Sequence, residues 1–525
     1  MADRVADISE VAVRGGFFLF AGSALSMITL GVGSIVVARL LGPEDYGLYG
    51  LSLIPLNIFG LFTDFGVSTA LTRFSAKFKS DNEPQRVAGM LKSAILFKLL
   101  LSTAIFILCL FFSETLATQL LNRPSIAPLV RLASIAIPFQ LLLGVAGSAF
   151  LGLDHMEHSA STTNVQSIVK AVFGPVLILL GFGVVGALMA YDLSYAAAAT
   201  SAIFILFFYH YRSLKCNIKG ARATDTLNDL RVMLSYGFPL YVSGLLGSVV
   251  GQYQSVILAW LASNADIGNL NVATNFLALA GVISAPTAML FPAFSKLNSR
   301  SPDTRRLFEL SVKYTSLLLI PMAVGIPLLS KDLILAVYGP SFAPSAPLLS
   351  TLAVGYLFAG IGSVVIGSLL TAAGEMKLIF MATLINLAIF VPLAPLLIWL
   401  LGVLGVVLAG LTSGLISLAY QMVTARKKFG ISFSSSVSMR IYLASAASAA
   451  PILPFLQLSP FQGIANVILG GCLYLFVYMT ALPVIGAIRM RDIENLEFLV
   501  NKSKVASVLK PFLEYETKLT SRVRN

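Results

Sequence analysis

The chain has 525 residues, of which 57% are hydrophobic and 11% are charged, and its formal net charge at pH 7 is +12. Soluble domains carry roughly 25% charged residues, so this composition excludes an ordinary soluble enzyme and indicates a protein that lies in a membrane. The excess of basic residues indicates membrane topology and contact with anionic lipid rather than nucleic-acid binding.

Fourteen apolar stretches follow one another along the chain. A helix needs about 20 apolar residues to cross roughly 30 Å of hydrocarbon, and each stretch is long enough for one crossing. The first is too long for a signal-peptide core, so we expect it to be retained. The predicted spans are residues 16–38, 46–70, 88–112, 128–151, 164–186, 191–211, 234–262, 270–294, 310–330, 345–372, 378–401, 402–425, 439–458 and 462–488.

The distribution of basic residues predicts the orientation of these spans. With the N-terminus in the cytoplasm, 30 of the 36 Lys and Arg residues fall on the inner side and four on the outer side. Cytoplasmic loops of membrane proteins carry such an excess. The sequence therefore predicts a multi-pass protein of the cell (plasma or inner) membrane whose termini are both cytoplasmic.

The chain contains an internal duplication. Residues 16–51 return as residues 237–272, at an offset of 221. Each copy holds six spans, and an even number means that the second copy enters the membrane from the same side as the first. We therefore expect two lobes related by a pseudo-two-fold axis along the membrane normal, as in transporters whose site lies between two lobes. Coinciding residues include Gly16 and Gly237, Ser34 and Ser255, and Asp45 and Asp266.

The predicted fold is an all-α polytopic membrane protein with 14 transmembrane helices, in which two six-helix lobes are followed by two extra helices. No outer loop has room for a folded catalytic domain, so no enzyme activity is predicted. The predicted parts are an N-lobe with spans 1–6 at residues 1–214, a cytoplasmic linker at 215–229, a C-lobe with spans 7–12 at 230–425, spans 13 and 14 at 426–488, and a cytoplasmic tail at 489–525.

Two lysines lie inside predicted spans, where charge is costly and marks a candidate site. Lys98 is ten residues into span 3, about 15 Å deep at 1.5 Å per residue. Lys170 is six to eight residues into span 5. From such depth a lysine side chain cannot easily reach far enough to place its ammonium group in water. Two hypotheses remain open: structural pairing with a carboxylate or with carbonyl groups, or a cationic cavity for a phosphorylated substrate.

Asp64 in span 2 is interpreted as the one deep acidic residue of the membrane segments. Its candidate partners are Lys98 or a cation from span 1, and its role is either structural pairing or proton coupling. Arg73 at the inner end of span 2 is predicted to anchor the chain at the inner interface. Arg39 at the outer end of span 1 is a candidate for either anchoring or substrate binding.

Amides replace charge in the corresponding spans of the second repeat. An amide offers both donors and an acceptor, which suits sugar hydroxyls, although amides also hold helices together. The candidate amides are Gln252 and Gln254 in span 7 and Asn271 and Asn275 in span 8.

The chain lacks the motifs of the common cofactor sites. His155 and His158 have no third ligand at a recognisable spacing, so no metal site is predicted. Because no Walker A sequence, dinucleotide fingerprint or nucleophile elbow occurs, no cofactor is expected.

The string Arg39-Leu-Leu-Gly-Pro-Glu-Asp-Tyr-Gly-Leu-Tyr49, followed by Asp64-Phe-Gly66 and Arg73, resembles the polysaccharide-unit flippases of the Wzx or RfbX type. These belong to the multidrug/oligosaccharidyl-lipid/polysaccharide (MOP) exporter superfamily. The resemblance covers essentially the whole chain. It implies a fold similar to those of the MATE transporters and the lipid II flippase, with a V-shaped pair of lobes and two extra spans that help to form a groove for a lipid tail.

The resemblance also implies a function: a polyprenyl- or dolichyl-phosphate-linked or diphosphate-linked oligosaccharide is flipped from the cytoplasmic to the outer leaflet by alternating access. Such a substrate serves surface polysaccharide or glycoprotein assembly. The implied partners are the lipid-linked glycan, membrane lipid, and the glycosyltransferases or the polymerase of the same pathway. Related proteins line the cavity mainly with spans 1, 2, 7 and 8, whereas Lys98 and Lys170 lie on spans 3 and 5.

Three alternative functions compete with this one. A lipid II flippase shares the plan and differs mainly in its glycan. A MATE-type drug or cation antiporter usually has twelve spans and membrane carboxylates, whereas deep basic residues outnumber deep acidic ones here. A membrane enzyme such as a glycan polymerase needs a sizeable outer loop. The candidate cavity residues are Lys98, Lys170, Asp64, Arg39, Gln252, Gln254, Asn271 and Asn275.

Overall fold

A computed structural model of the chain describes residues 2–211, 226–280, 290–459 and 463–488, together with residues 490, 492 and 517. All regular secondary structure in these ranges is helical, as the sequence predicts. Most of the predicted linker (215–229) and of the predicted tail (489–525) lies outside the described residues. The described contacts divide the chain into two compact units, residues 1–272 and 273–525.

Ten described α-helices begin in the first unit. They are α1 (Ala2–Ser52), α2 (Ile54–Leu61), α3 (Val67–Ser80), α4 (Pro84–Thr115), α5 (Ala127–Ala133), α6 (Ala136–Gly152), α7 (Met156–Leu177), α8 (Gly183–Ile205), α9 (Thr226–Leu261) and α10 (Asn264–Ala280) within the described residues. Helix α9 packs on α2, α3 and α4. Its buried Met233 joins a core with Val67, Met90 and Phe150.

The second unit contains nine further described α-helices. They are α11 (Leu290–Ser295), α12 (Pro302–Val337), α13 (Ser345–Ala353), α14 (Ser363–Ala372), α15 (Met376–Leu401), α16 (Val403–Phe429), α17 (Ser435–Ala449), α18 (Ile452–Leu458) and α19 (Ile464–Val484). Helices α17 and α19, which carry predicted spans 13 and 14, pack on each other and on α12. Tyr478 donates a hydrogen bond to the carbonyl oxygen of Leu317 at 3.0 Å, which fixes α19 against α12.

Glycines break the long apolar helices where the chain must change direction. In α1, Gly42 has non-helical dihedral angles (φ 76°, ψ 173°) and is followed by Pro43. A straight helix of this length would be about 75 Å long, more than twice the hydrocarbon thickness. The break falls between the first two predicted spans. Gly181 and Gly183, which also have positive φ, separate α7 from α8, and these two helices pack along each other.

Eight described helices are long and apolar enough to cross a membrane, or up to ten if each bent pair counts as one span. Two of the eight, residues 21–61 and 156–208, contain the glycine breaks described above. Large apolar side chains such as Phe111 and Trp399 are mostly exposed, which suits a surface that faces lipid tails. The chain is a multi-pass membrane protein, and the total of fourteen spans remains a prediction.

Candidate functional site

The second predicted span is interrupted in the middle, at residues 62–66. Phe65 and Gly66 both have positive φ, 46° and 80°, so the chain leaves α2 and restarts as α3. The Asp64 carboxylate accepts hydrogen bonds from the amide of Ser68 at 3.3 Å and from the Ser68 hydroxyl. Asp64 therefore satisfies donors at the start of α3. Non-helical backbone at membrane depth requires such partners, because lipid supplies none.

Lys98 on α4 contacts residues of the same helix break. Its ammonium lies 2.6 Å from the Asp64 carboxylate and 2.8 Å from the carbonyl oxygen of Thr63, and the residue is only 3% exposed. The pairing of Asp64 with Lys98, one of the two hypotheses from the sequence, is thus present. A buried lysine with these two partners has little charge left for a ligand.

A cavity of about 230 Å³ lies beside this ion pair. Its polar lining comes from Thr63, Asp64, Ser68, Lys98 and Gln140, and the remainder is apolar. The amide of Gln140 on α6 also donates a hydrogen bond to the Tyr191 hydroxyl on α8 at 2.7 Å. Gln140 therefore connects the cavity to a second polar cluster in the same unit.

Lys170 belongs to this second cluster. Its ammonium lies 5.1 Å from the ring centroid of Tyr191 and 6.0 Å from that of Tyr49. In the described part of the chain, no carboxylate oxygen lies within 4.0 Å of it. Two aromatic faces stabilise a cation less strongly than a carboxylate does. Lys170 is therefore a half-buried cation that can exchange its ring contacts for an anion.

Asp192 was missed by the sequence interpretation, which is wrong in naming Asp64 as the one deep acidic residue. The predicted sixth span begins at Tyr191, which would place Asp192 at the membrane boundary. The helix α8 instead begins at Gly183, so Asp192 is nine residues further along it and is 8% exposed. The Gly181-Phe-Gly183 string was the available signal, because two glycines mark a turn.

The other predicted residues lie elsewhere. Arg73 packs over the Tyr236 ring at 4.1 Å, Arg39 is exposed on α1, and Gln252 and Gln254 are half-buried on α9. The side chain of Asn271 lies against Gly50, and Asn275 is exposed in the second unit. The structure thus joins Asp64 with Lys98, connects both to Lys170 through Gln140, and places none of the other candidates in the lining of the 230 Å³ cavity.

His155 and His158 do have a third potential ligand, which the sequence interpretation overlooked. The ligand atoms of His155, Glu157 and His158 all lie within 4.8 Å of one another at the start of α7. Nδ1 of His155 is 3.1 Å from a Glu157 oxygen. The partial positive charge of a helix N-terminus stabilises this carboxylate and opposes a cation, so the group is explained without a metal.

The family described as "Polysaccharide biosynthesis protein" matches residues 12–298, which is more than half of the chain. This match covers both polar clusters of the first unit, including Asp64, Lys98, Lys170 and Asp192. It confirms the family resemblance recognised in the sequence.

Curated relatives include three bacterial proteins. The succinoglycan biosynthesis transport protein ExoT of Rhizobium meliloti is 25% identical over 61% of this chain and 60% of its own length. The stage V sporulation protein B of Bacillus subtilis is 22% identical over 54% and 56%, so the chain spans little more than half of these two relatives. The lipopolysaccharide biosynthesis protein WzxC of Escherichia coli is 23% identical over 70% and 72%.

Solved structures with the same fold include membrane transporters. The lipid II flippase MurJ in an inward closed conformation has a TM-score of 0.71 and 17% identity, over 89% of this chain and 98% of its own. An inward-facing MATE transporter of the MOP superfamily has a TM-score of 0.64 and 18% identity, over 77% and 94%. Together with the family match, these comparisons establish that the chain has the fold of the MOP superfamily and belongs to the polysaccharide biosynthesis protein family.

Proposed function

We propose that the protein flips a polyprenyl- or dolichyl-linked oligosaccharide, joined through a phosphate or diphosphate, from the cytoplasmic to the outer leaflet by alternating access. The observation that carries the proposal is Lys170, a half-buried cation inside a helical unit without a carboxylate partner in the described residues. The relatives named for succinoglycan transport and lipopolysaccharide biosynthesis support a glycan substrate.

The chemistry of the substrate requires a cation of this kind. A phosphate and its sugars cannot cross hydrocarbon unaided, since each unpaired polar group there costs several kcal/mol. Lys170 would neutralise the phosphate, while amides and tyrosine hydroxyls such as those of Gln140 and Tyr191 contact sugar hydroxyls. A lysine is a point charge without the bidentate grip of arginine, so the headgroup can also leave.

The ion pair of Asp64 and Lys98 has a structural role in this proposal. It secures the interrupted second span beside the cavity, so we place the phosphate at Lys170 and not at Lys98. Cytoplasmic termini, the two-lobed plan with its linker at residues 215–229, and a pathway polymerase or glycosyltransferases as partners belong to the same proposal.

Two rival functions make different demands on the site. A lipid II flippase would use the same cation and differ only in its glycan, so a comparison of glycans on one lipid separates the two. A MATE-type antiporter would bind an organic cation at a membrane carboxylate. Asp192, whose carboxylate oxygens make no hydrogen bond of normal geometry among the described residues, is the residue on which that activity would depend.

Binding of a polyprenyl-diphosphate-linked sugar tests the proposal. We expect the purified protein to bind it in preference to the same lipid without phosphate, and Lys170→Ala to weaken binding roughly 10- to 100-fold, because a charged hydrogen bond contributes about 1.5–3 kcal/mol. Lys92→Ala, which removes an exposed lysine of α4, is the matched control and should bind as the unaltered protein does. Equal binding with and without phosphate would contradict the proposal.

A further inference from the structure

Asp192 is buried without a partner for its charge. The residue is 8% exposed, and neither carboxylate oxygen has a hydrogen bond of normal geometry among the described residues. The backbone amide of Ala136, at the start of α6, interacts with the carboxyl group more loosely. An isolated carboxylate in an apolar interior is strongly disfavoured, whereas the neutral acid is tolerated. Some other group must accompany any charged form.

The helices around Asp192 supply one available cation. Helix α8 packs on α1, α5, α6 and α7. On α5, Arg131 is held by Ser113 at 2.6 Å and Glu114 at 3.0 Å, and α6 carries no titratable side chain. On α1, Arg39 is exposed, and α7 carries Lys170, which has no carboxylate oxygen within 4.0 Å among the described residues. Of the titratable groups on these helices, Tyr49 of α1 interacts with Asp192, Lys170 of α7 lies over the rings of Tyr49 and Tyr191, and Tyr191 interacts with Tyr195.

Lys170 and Asp192 lie at similar depth on neighbouring helices and share a neighbour. Counted from the turn at residues 181–183, at 1.5 Å per residue, their depths differ by only about 3 Å. The ring centroid of Tyr49 lies 6.0 Å from the ammonium of Lys170, and Tyr49 also interacts with the charge of Asp192. The flexible four-carbon stem of a lysine can bridge such a separation by a change of rotamer.

We propose that Asp192 is an alternating counter-ion for Lys170: it is ionised and paired with Lys170 when the site is empty, and it takes up one proton when Lys170 binds the phosphate of the substrate. The inference rests on the proposed role of Lys170 in flipping. In the described conformation Lys170 and Asp192 are not paired with each other, so the pairing requires a change of rotamer of Lys170.

This exchange keeps the Lys170 ammonium paired with an anion in both states. In the empty carrier the Lys170 ammonium is neutralised by Asp192, and in the loaded carrier it is neutralised by phosphate. Because each binding event consumes a proton, binding and protonation are linked. Substrate affinity must therefore rise as the pH falls, by at most about tenfold per pH unit for one proton.

The pH dependence of affinity tests the inference. The probe is a polyprenyl-diphosphate-linked sugar. Its diphosphate is esterified at both ends, so it lacks the monoester ionisation near pH 6 and keeps a fixed charge between about pH 5.5 and 8.0. We expect the unaltered protein to bind it more tightly as the pH falls. Asp192→Asn, which mimics the neutral acid, should bind tightly at every pH and lose this slope. A double variant, His155→Gln with His158→Gln, removes two imidazole groups at the start of α7, outside the site, and should keep the slope.

Different outcomes would overturn the inference and the proposed function. An identical slope in Asp192→Asn, or no slope in the unaltered protein while phosphate-dependent binding persists, overturns the inference and leaves the proposed function intact. Absence of phosphate-dependent binding overturns the proposed function and the inference with it. If Asp192→Asn fails to fold, proton uptake is measured on the unaltered protein: close to one proton per bound lipid is expected at the midpoint of the slope, and none contradicts the inference.

Discussion

Replacement of Asp64 by alanine is expected to destabilise the protein by about 3–5 kcal/mol, because it leaves the Lys98 ammonium buried without its counter-ion. The carboxylate is the only acidic partner of Lys98 in the described residues, at 2.6 Å. The same change removes the two hydrogen bonds from Ser68, so α3 also loses its N-terminal partner. Unfolding of the purified protein in micelles by SDS or heat measures the effect.

Two variants distinguish a charge effect from a packing effect. Asp64→Ala combined with Lys98→Met removes both charges while keeping most of the volume, so it should be less harmful than Asp64→Ala alone. Glu114→Ala breaks an exposed ion pair with Arg131 and should cost under about 1 kcal/mol. Equal losses in Asp64→Ala and Glu114→Ala would show that the buried pair does not secure the break.

Gly66→Ala is expected to prevent normal folding. Gly66 has a φ of 80°, and a Cβ atom there would lie 2.0 Å from the carbonyl oxygen of Gly237. Neither the conformation nor the distance tolerates a side chain, since the obstacle is backbone and cannot swing aside. The reciprocal change, Gly237→Ala, meets the carbonyl oxygen of Gly66 at 2.1 Å and should have the same effect.

The yield of monodisperse protein after detergent extraction checks this prediction. Gly244→Ala on the same helix α9 is the matched control, because no atom lies within 4 Å of the added Cβ. Alanine in a helix interior is favoured over glycine by up to about 1 kcal/mol, so this control should extract at least as well as the unaltered protein. Normal yield and stability of Gly66→Ala would contradict the described contact between α3 and α9.

The sequence carries the membrane class and the family because both depend on features that repeat over many residues. Apolar stretches of about 20 residues are strong signals, and the string from Arg39 to Tyr49 resembles one family. The number of membrane spans is harder to predict from the sequence. Gly42 and the pair Gly181 and Gly183 divide helices whose apolar character continues through the break, so composition alone does not define where one crossing ends.

The candidate site was predicted only in part. The free-energy cost of a charge inside the membrane indicated Lys98, Asp64 and Lys170 as candidates, but the same cost applies to structural pairs and to binding sites. The distances distinguish a structural pair from a binding site: the Lys98 ammonium is paired with Asp64, whereas the Lys170 ammonium lies over two tyrosine rings. Gln140 carries no charge and owes its importance to the approach of α6 and α8, which no local pattern reveals. Asp192 was misplaced because the predicted sixth span begins at residue 191, eight residues after the start of α8.

Flipping of a fluorescent polyprenyl-diphosphate-linked oligosaccharide in proteoliposomes is the direct test of the proposed function. A membrane-impermeant quencher reports how fast the probe changes leaflet. We predict that the unaltered protein accelerates flipping over protein-free vesicles, that Lys92→Ala retains this activity, and that Lys170→Ala reduces it roughly tenfold or more. Flipping by Lys170→Ala at the unaltered rate, or no flipping by the unaltered protein together with Asp192-dependent transport of an organic cation, would contradict the account.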